Sequence, residues 1–160
     1  MVLPVDYESR EYLFYKNLNE DVKLKSDAYG RWDIDFDFEN DDWINVTGSH
    51  SVFNACVIAI MTRFQELNFI DLYEDFGCRV HELIKENKSR NMMYNMELFV
   101  TEVLENMRRI KKVNWVVVTD SSDSNHIYNY NINFSVTCRL DEDVVEDDGQ
   151  LIVVEESLLI

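Results

Sequence analysis

A small α+β domain, built as a mixed sheet of two hairpins packed against about three helices, is the fold class this sequence predicts. Three observations predict it: strict alternation of apolar and acidic residues over 32–38, helical spacing of apolar residues over two later stretches, and a Val, Trp and Tyr-rich pair of segments near the end.

In the first segment Trp32, Ile34, Phe36 and Phe38 face one way and Asp33, Asp35, Asp37 and Glu39 the other, which is the pattern of a half-buried strand. Asn40-Asp41-Asp42 is turn material, and Trp43, Ile44 and Val46 form a second strand, so a hairpin is expected. Thr47-Gly48-Ser49 offers hydroxyl N-caps for a helix from about Ser51 to Glu66. Its Val52, Cys56, Ala59, Ile60 and Arg63 share one face. Phe53, Val57, Ile58 and Met61 fill the others, so the helix is expected to be buried nearly all round.

A short helical stretch follows from Arg79 to about Asn87, and a longer helix from Met92 to Met107 carries Met93, Met96, Phe99, Val100, Val103, Leu104 and Met107 on its inner stripe. Met92, Met93, Met96 and Met107 are accordingly core residues rather than a Met-rich groove. Val113 to Thr119 and Ile127 to Cys138, separated by the polar turn Asp120 to Asn125, form a second hairpin. Residues 1–31 are an N-terminal extension, 32–138 the folded domain, and 139–160 an acidic linker with a strand-like tail at Leu151 to Val154. That tail adds either to its own sheet or to an adjacent subunit; donation in trans is the hypothesis taken from the sequence.

The chain has 160 residues and a formal net charge of −16, which opposes nucleic-acid phosphates and anionic membrane surfaces as partners. The charge is unevenly spread. Residues 1–73 hold six basic and 14 acidic residues and residues 139–160 one basic and eight acidic, whereas 74–112 is nearly balanced and carries the cluster Arg108, Arg109, Lys111 and Lys112. The first residues lack a basic stretch followed by an apolar one, so no secretory leader is expected, and the longest apolar run is too short to span a bilayer.

Catalytic and metal signatures are weak. The acidic run from Asp33 fails as a calcium loop because Phe38 and Ile44 stand where glycine and glutamate are required. His81-Glu82 begins a zinc-protease motif whose second histidine position is Lys85. His50, His81 and His126 share no ligand spacing, and Cys56, Cys78 and Cys138 form neither a CxxC nor an even disulfide set. The four glycines are isolated, so there is no phosphate loop. No cofactor and no enzymatic activity are expected.

The order hairpin, buried helix, Phe-Gly loop, short helix, long helix with a basic end, and closing hairpin resembles the baseplate wedge and sheath-initiator family of contractile phage tails. The family also occurs in contractile injection systems and as a type VI secretion baseplate component. The resemblance covers about Trp32 to Thr137. Its matching pieces are Ser51 to Arg63, Glu74-Asp75-Phe76-Gly77-Cys78 before Leu83, and Asn106-Met107-Arg108-Arg109-Ile110 leading into Val113 to Thr119. Thr62-Arg63 and Phe76-Gly77 match family positions. Of the family's Glu-Pro-Arg only Arg109 carries over, Met107-Arg108 standing in place of the other two.

The resemblance implies a structural protein of the tail baseplate, present in several copies in a sixfold assembly. Its partners would be wedge proteins, sheath subunits and the tail tube, in a virion baseplate assembled in the host cytoplasm or in a cytoplasmic injection machine. Sheath would start on it by β-strand augmentation. Wedge contact is expected at Arg108, Arg109, Lys111 and Lys112, and sheath or neighbour contact at Val113, Trp115, Val117, Tyr128, Tyr130, Leu151 and Val153. A different class of function, an acidic soluble inhibitor or regulator that occupies a basic protein partner, also fits the charge.

Overall fold

The computed structural model describes residues 20–27, 31–70, 74–123, 125, 127–139 and 153–160, with residues 20, 153, 156 and 157 described by their backbone. Short strands come first: β1 (Glu20–Val22), β2 (Leu24–Ser26), β3 (Trp32–Ile34), β4 (Phe36–Asp37), β5 (Asp42–Trp43) and β6 (Asn45–Thr47). They form two-stranded antiparallel ladders, β1 with β6, β2 with β3 and β4 with β5. Of the expected hairpin only β4 and β5 pair with each other, with Phe36 opposite Trp43 and their rings edge-on at 5.1 Å; Trp32–Ile34 and Asn45–Thr47 pair instead with N-terminal strands, and Ile34, Phe38 and Trp43 are exposed. The hairpin is split at Asp35, whose carboxylate accepts bonds from Lys23 at 3.0 Å and Lys25 at 3.1 Å. Part of the N-terminal extension thus belongs to the ladders around it.

Helix α1 (Ser49–Met61) follows. Its N-cap is Gly48 at φ 64°, and no side-chain oxygen caps it, contrary to the expected hydroxyl cap. Val52, Cys56, Val57, Ala59 and Ile60 are buried, and Ile58 is exposed. The helix stops at Met61 rather than running on to Glu66, because Thr62 turns extended and Arg63 bridges Cys78. Asn54 Nδ2 donates to the Val22 carbonyl at 2.7 Å and ties β1 to this helix. Helix α2 (Val80–Leu83) is a single turn, shorter than expected. Helix α3 (Arg90–Glu105) is capped by Ser89, whose hydroxyl accepts the Met92 amide at 3.1 Å, and it buries Met92, Met96, Val100 and Leu104.

Strands β7 (Ile110–Asp120), β8 (Tyr130–Cys138) and β9 (Val153–Leu159) form an antiparallel sheet with β8 in the centre. The two hairpins thus lie in separate sheets, since β8 fills its second edge with the C-terminal strand. Tyr130, Ile132, Phe134, Val136 and Cys138 all point into the core with α1 and α3 over them. Trp32 packs edge-on against Phe53 at 5.9 Å, and Phe53 stacks on Phe134 at 6.4 Å, so aromatic rings connect the N-terminal ladders to the sheet through α1. No helix among the described residues is long and apolar enough to cross a membrane.

Candidate interaction surface

The hydrogen-bond phase of β8 decides what each edge of the sheet offers. Tyr130 and Ile160 exchange both backbone bonds at 2.9 Å, so the even-numbered residues of β8 bond to β9. In β9 the amides and carbonyls of Val153, Glu155, Ser157 and Leu159 consequently point away from β8, along the outer edge. Odd residues of β8 bond to β7, so Val116 and Val118 turn their amides to the opposite edge.

The two edges differ. Helix α3 lies against β7, and Glu97 reaches across so that its carboxylate accepts the Val118 amide at 3.0 Å. Two bulges, at Lys111 and Asn114, further break the straight run of β7. Among the described residues no side chain bonds to an outward backbone group of β9. Among the described residues its edge is the less obstructed of the two.

On the outer face, Trp115 stands opposite Ser135 and Val117 opposite Asn133. Trp115 is 43% and Val117 44% exposed, whereas Ser135 and Thr137 are buried. The bulged Asn114 covers these two hydroxyls: its Nδ2 donates to Ser135 Oγ at 3.0 Å, and Thr137 Oγ1 donates to its Oδ1 at 3.2 Å. Buried polar groups on this face are therefore paired, leaving Trp115 and Val117 as its apolar contacts.

The expected contact residues divide as follows. Trp115, Val117 and Tyr128 are exposed. Tyr130 is wholly buried and belongs to the core, because the inward phase of β8 starts at that residue. Val113 is half-buried against the core, shifted inward by the neighbouring bulge. Val153 lies opposite Thr137. Leu151 lies outside the described residues. The tail strand pairs with β8 of its own chain, which is the cis alternative.

Of the basic cluster, Arg108, Lys111 and Lys112 are exposed, joined by Arg139, whose amide donates to the Arg109 carbonyl at 2.8 Å. None of these four side chains forms an ion pair among the described residues. Arg109 differs: it is half-buried, and its Nη1 donates to the hydroxyl of the buried Ser51 at 3.1 Å. It ties the start of β7 to α1 and serves the fold.

Thr62, Arg63, Phe76 and Gly77, matched in two separate motifs, come together in one chain crossing. The Cys78 amide donates to Thr62 O at 2.8 Å, the Phe64 amide to Cys78 O at 3.2 Å and the Gln65 amide to Phe76 O at 3.2 Å. Gly77 sits at φ 107°, and a Cβ there would overlap the Arg63 carbonyl.

The thiols are poor nucleophiles. Burial pushes Cys56 up to about 12 and Cys78 and Cys138 up to about 11, so all three stay protonated at neutral pH. Among the described residues no three His, Cys, Asp or Glu side chains converge as metal ligands.

Glu97 and Asn114 are the two residues of this surface that sequence reasoning missed. Their signals are faint: an acid directly beside Met96 on the inner stripe, and an amide interrupting the apolar run from Val113 to Val118. No family model and no curated protein matches the chain.

Proposed function

We propose that this chain is a structural baseplate wedge protein of a contractile tail or injection machine. It holds wedge partners around the tube and starts sheath polymerisation by accepting an extended arm on the outer edge of β9. The observation that carries this proposal is the inequality of the two sheet edges: Glu97 occupies an outward amide of β7, while among the described residues no side chain bonds to an outward backbone group of β9. An added antiparallel strand gains main-chain bonds worth about 0.5–1.5 kcal/mol each, and repetition around a sixfold ring multiplies weak single attachments through effective concentration. The exposed Arg108, Lys111, Lys112 and Arg139 are the contact offered to wedge partners, and Trp115 and Val117 the apolar face offered to a neighbour.

Proline substitution at Glu155 and Ser157 tests the edge, since it removes outward N–H groups without touching the bonds to β8. Both variants are expected to fold and to join baseplates that no longer nucleate sheath, whereas Val154→Pro breaks the β8–β9 ladder itself. Sheath nucleation at the wild-type level by both edge variants contradicts the proposal. An acidic inhibitor would bind a basic partner through side chains, and its binding would survive the same two substitutions.

A further inference from the structure

Beneath the C-terminal end of α1 lies a cavity of about 290 Å³ lined by Arg63, Phe64, Cys78, His81, Glu82 and Lys85. We propose that this cavity is an oxyanion site, in which Arg63 and Lys85 hold a carboxylate or phosphate group of a ligand beside the imidazole of His81. The proposal is independent of the assembly role and concerns a different part of the molecule.

Cations near a helix C-terminus ordinarily bond its last carbonyls, and three carbonyls at this end already have other donors. Ile58 O accepts from the Thr62 amide at 3.0 Å and from Thr62 Oγ1 at 2.7 Å, Ile60 O accepts from His81 Nε2 at 2.9 Å, and Thr62 O accepts from the Cys78 amide. Nor do the nearby carboxylates neutralise the two bases. Glu66 is held on the Arg63 backbone amide at 3.0 Å, and Glu82 pairs with Arg79 at 3.4 Å. The Arg79 guanidinium itself lies over the Phe64 and Phe99 rings. In a chain with 31 acidic residues against 15 Lys and Arg, Arg63 and Lys85 face one cavity with no ion pair among the described residues.

His81 adds a proton switch to this arrangement. Ile60 O can only accept, so Nε2 carries the hydrogen and the other ring nitrogen takes the proton that charges the ring. Burial, followed by the Arg63 charge, lowers its pKa below the usual 6.5, with the Ile60 bond and Glu66 acting in the opposite sense. Lys85, the uncharged Cys78 thiol and the paired Arg79 and Glu82 complete the groups facing it. A bound anion offsets the field of Arg63 and favours the imidazolium, so binding strengthens as pH falls through the His81 value.

The test is an NMR titration of the full chain at slightly acidic pH and constant ionic strength, with potassium phosphate in one arm and sodium acetate in the other. The expected result is saturable movement of the His81 ring signals and of the Arg63 and Lys85 amides. The Arg63→Gln/Lys85→Gln double variant should keep its dispersed spectrum and bind about tenfold more weakly, the effect of losing charge-assisted bonds. Saturation by both ions identifies a carboxylate-sized site open to an acidic side chain; saturation by phosphate alone identifies a phosphate site. Movement that stays linear in both arms, or an unchanged affinity in the double variant, overturns the proposal.

Discussion

The Glu97 carboxylate accepts the backbone N–H of Val118 at 3.0 Å, so a helix side chain occupies a position that an added strand would need. Edge strands are self-association hazards, and an inward-leaning acid is one way to blunt them. Glu97→Ala is therefore expected to lower stability by about 1–2 kcal/mol, leaving the Val118 amide without a partner, and to promote self-association through β7. Urea unfolding and light scattering measure the two effects separately.

Gly77→Ala is expected to be among the most damaging single changes. The φ of 107° disfavours any side chain, and the new Cβ meets the Arg63 carbonyl in a crossing that holds α1 to the segment before α2. A loss of about 2–4 kcal/mol in urea unfolding follows from backbone strain combined with a steric clash.

Acid should loosen the tip of the β7–β8 hairpin. Bonds from Ser122 and from Lys88, at 2.9 Å, hold the Asp120 carboxyl down to about 2 from its ordinary 3.8. A carboxylate lowered in the folded state contributes stability that is present above 3.8 and lost as pH falls through about 2. Asp120→Asn should flatten the pH dependence of stability in that window, as monitored by acid unfolding of the variant beside the parent.

Arg109 and its exposed neighbours should separate in their effects. Arg109→Ala removes the bond to the buried Ser51 and should lower stability by about 1 kcal/mol. Arg108→Ala, Lys111→Ala and Lys112→Ala, at exposed positions, should leave stability within about 0.5 kcal/mol and, under the proposed assembly role, weaken retention of wedge partners in pull-down experiments.

Local periodicity made much of this fold legible. Alternation from Tyr130 to Val136 specifies a strand with one buried face, which is found. The expected stripe of α3 is found at Met96, Val100 and Leu104, whereas Met93, Phe99, Val103 and Met107 are only partly buried and Met92 takes the first buried place. What periodicity does not encode is which strand lies beside which. The partner of β8, the sealing of β7 by Glu97 and the meeting of Thr62 with Cys78 are long-range events, set by how helices and returning chain pack. The same limit explains Tyr130. A run of alternating aromatics shows that one face is apolar without showing whether that face meets the core or a neighbour, and here α1 and α3 cover it. The start of α1 departs from the expected hydroxyl cap for a local reason: Gly48 at positive φ takes the cap position between two hydroxyl residues.

Residue-resolved amide hydrogen exchange of β9, with and without sheath subunits, tests the strand-acceptor proposal most directly. On assembly, the outward amides of Val153, Glu155, Ser157 and Leu159 should gain protection, while Val154 and Leu158, already bonded to β8, change little. Formation of the complex with those outward amides still exchanging at the rate of the free protein would contradict it.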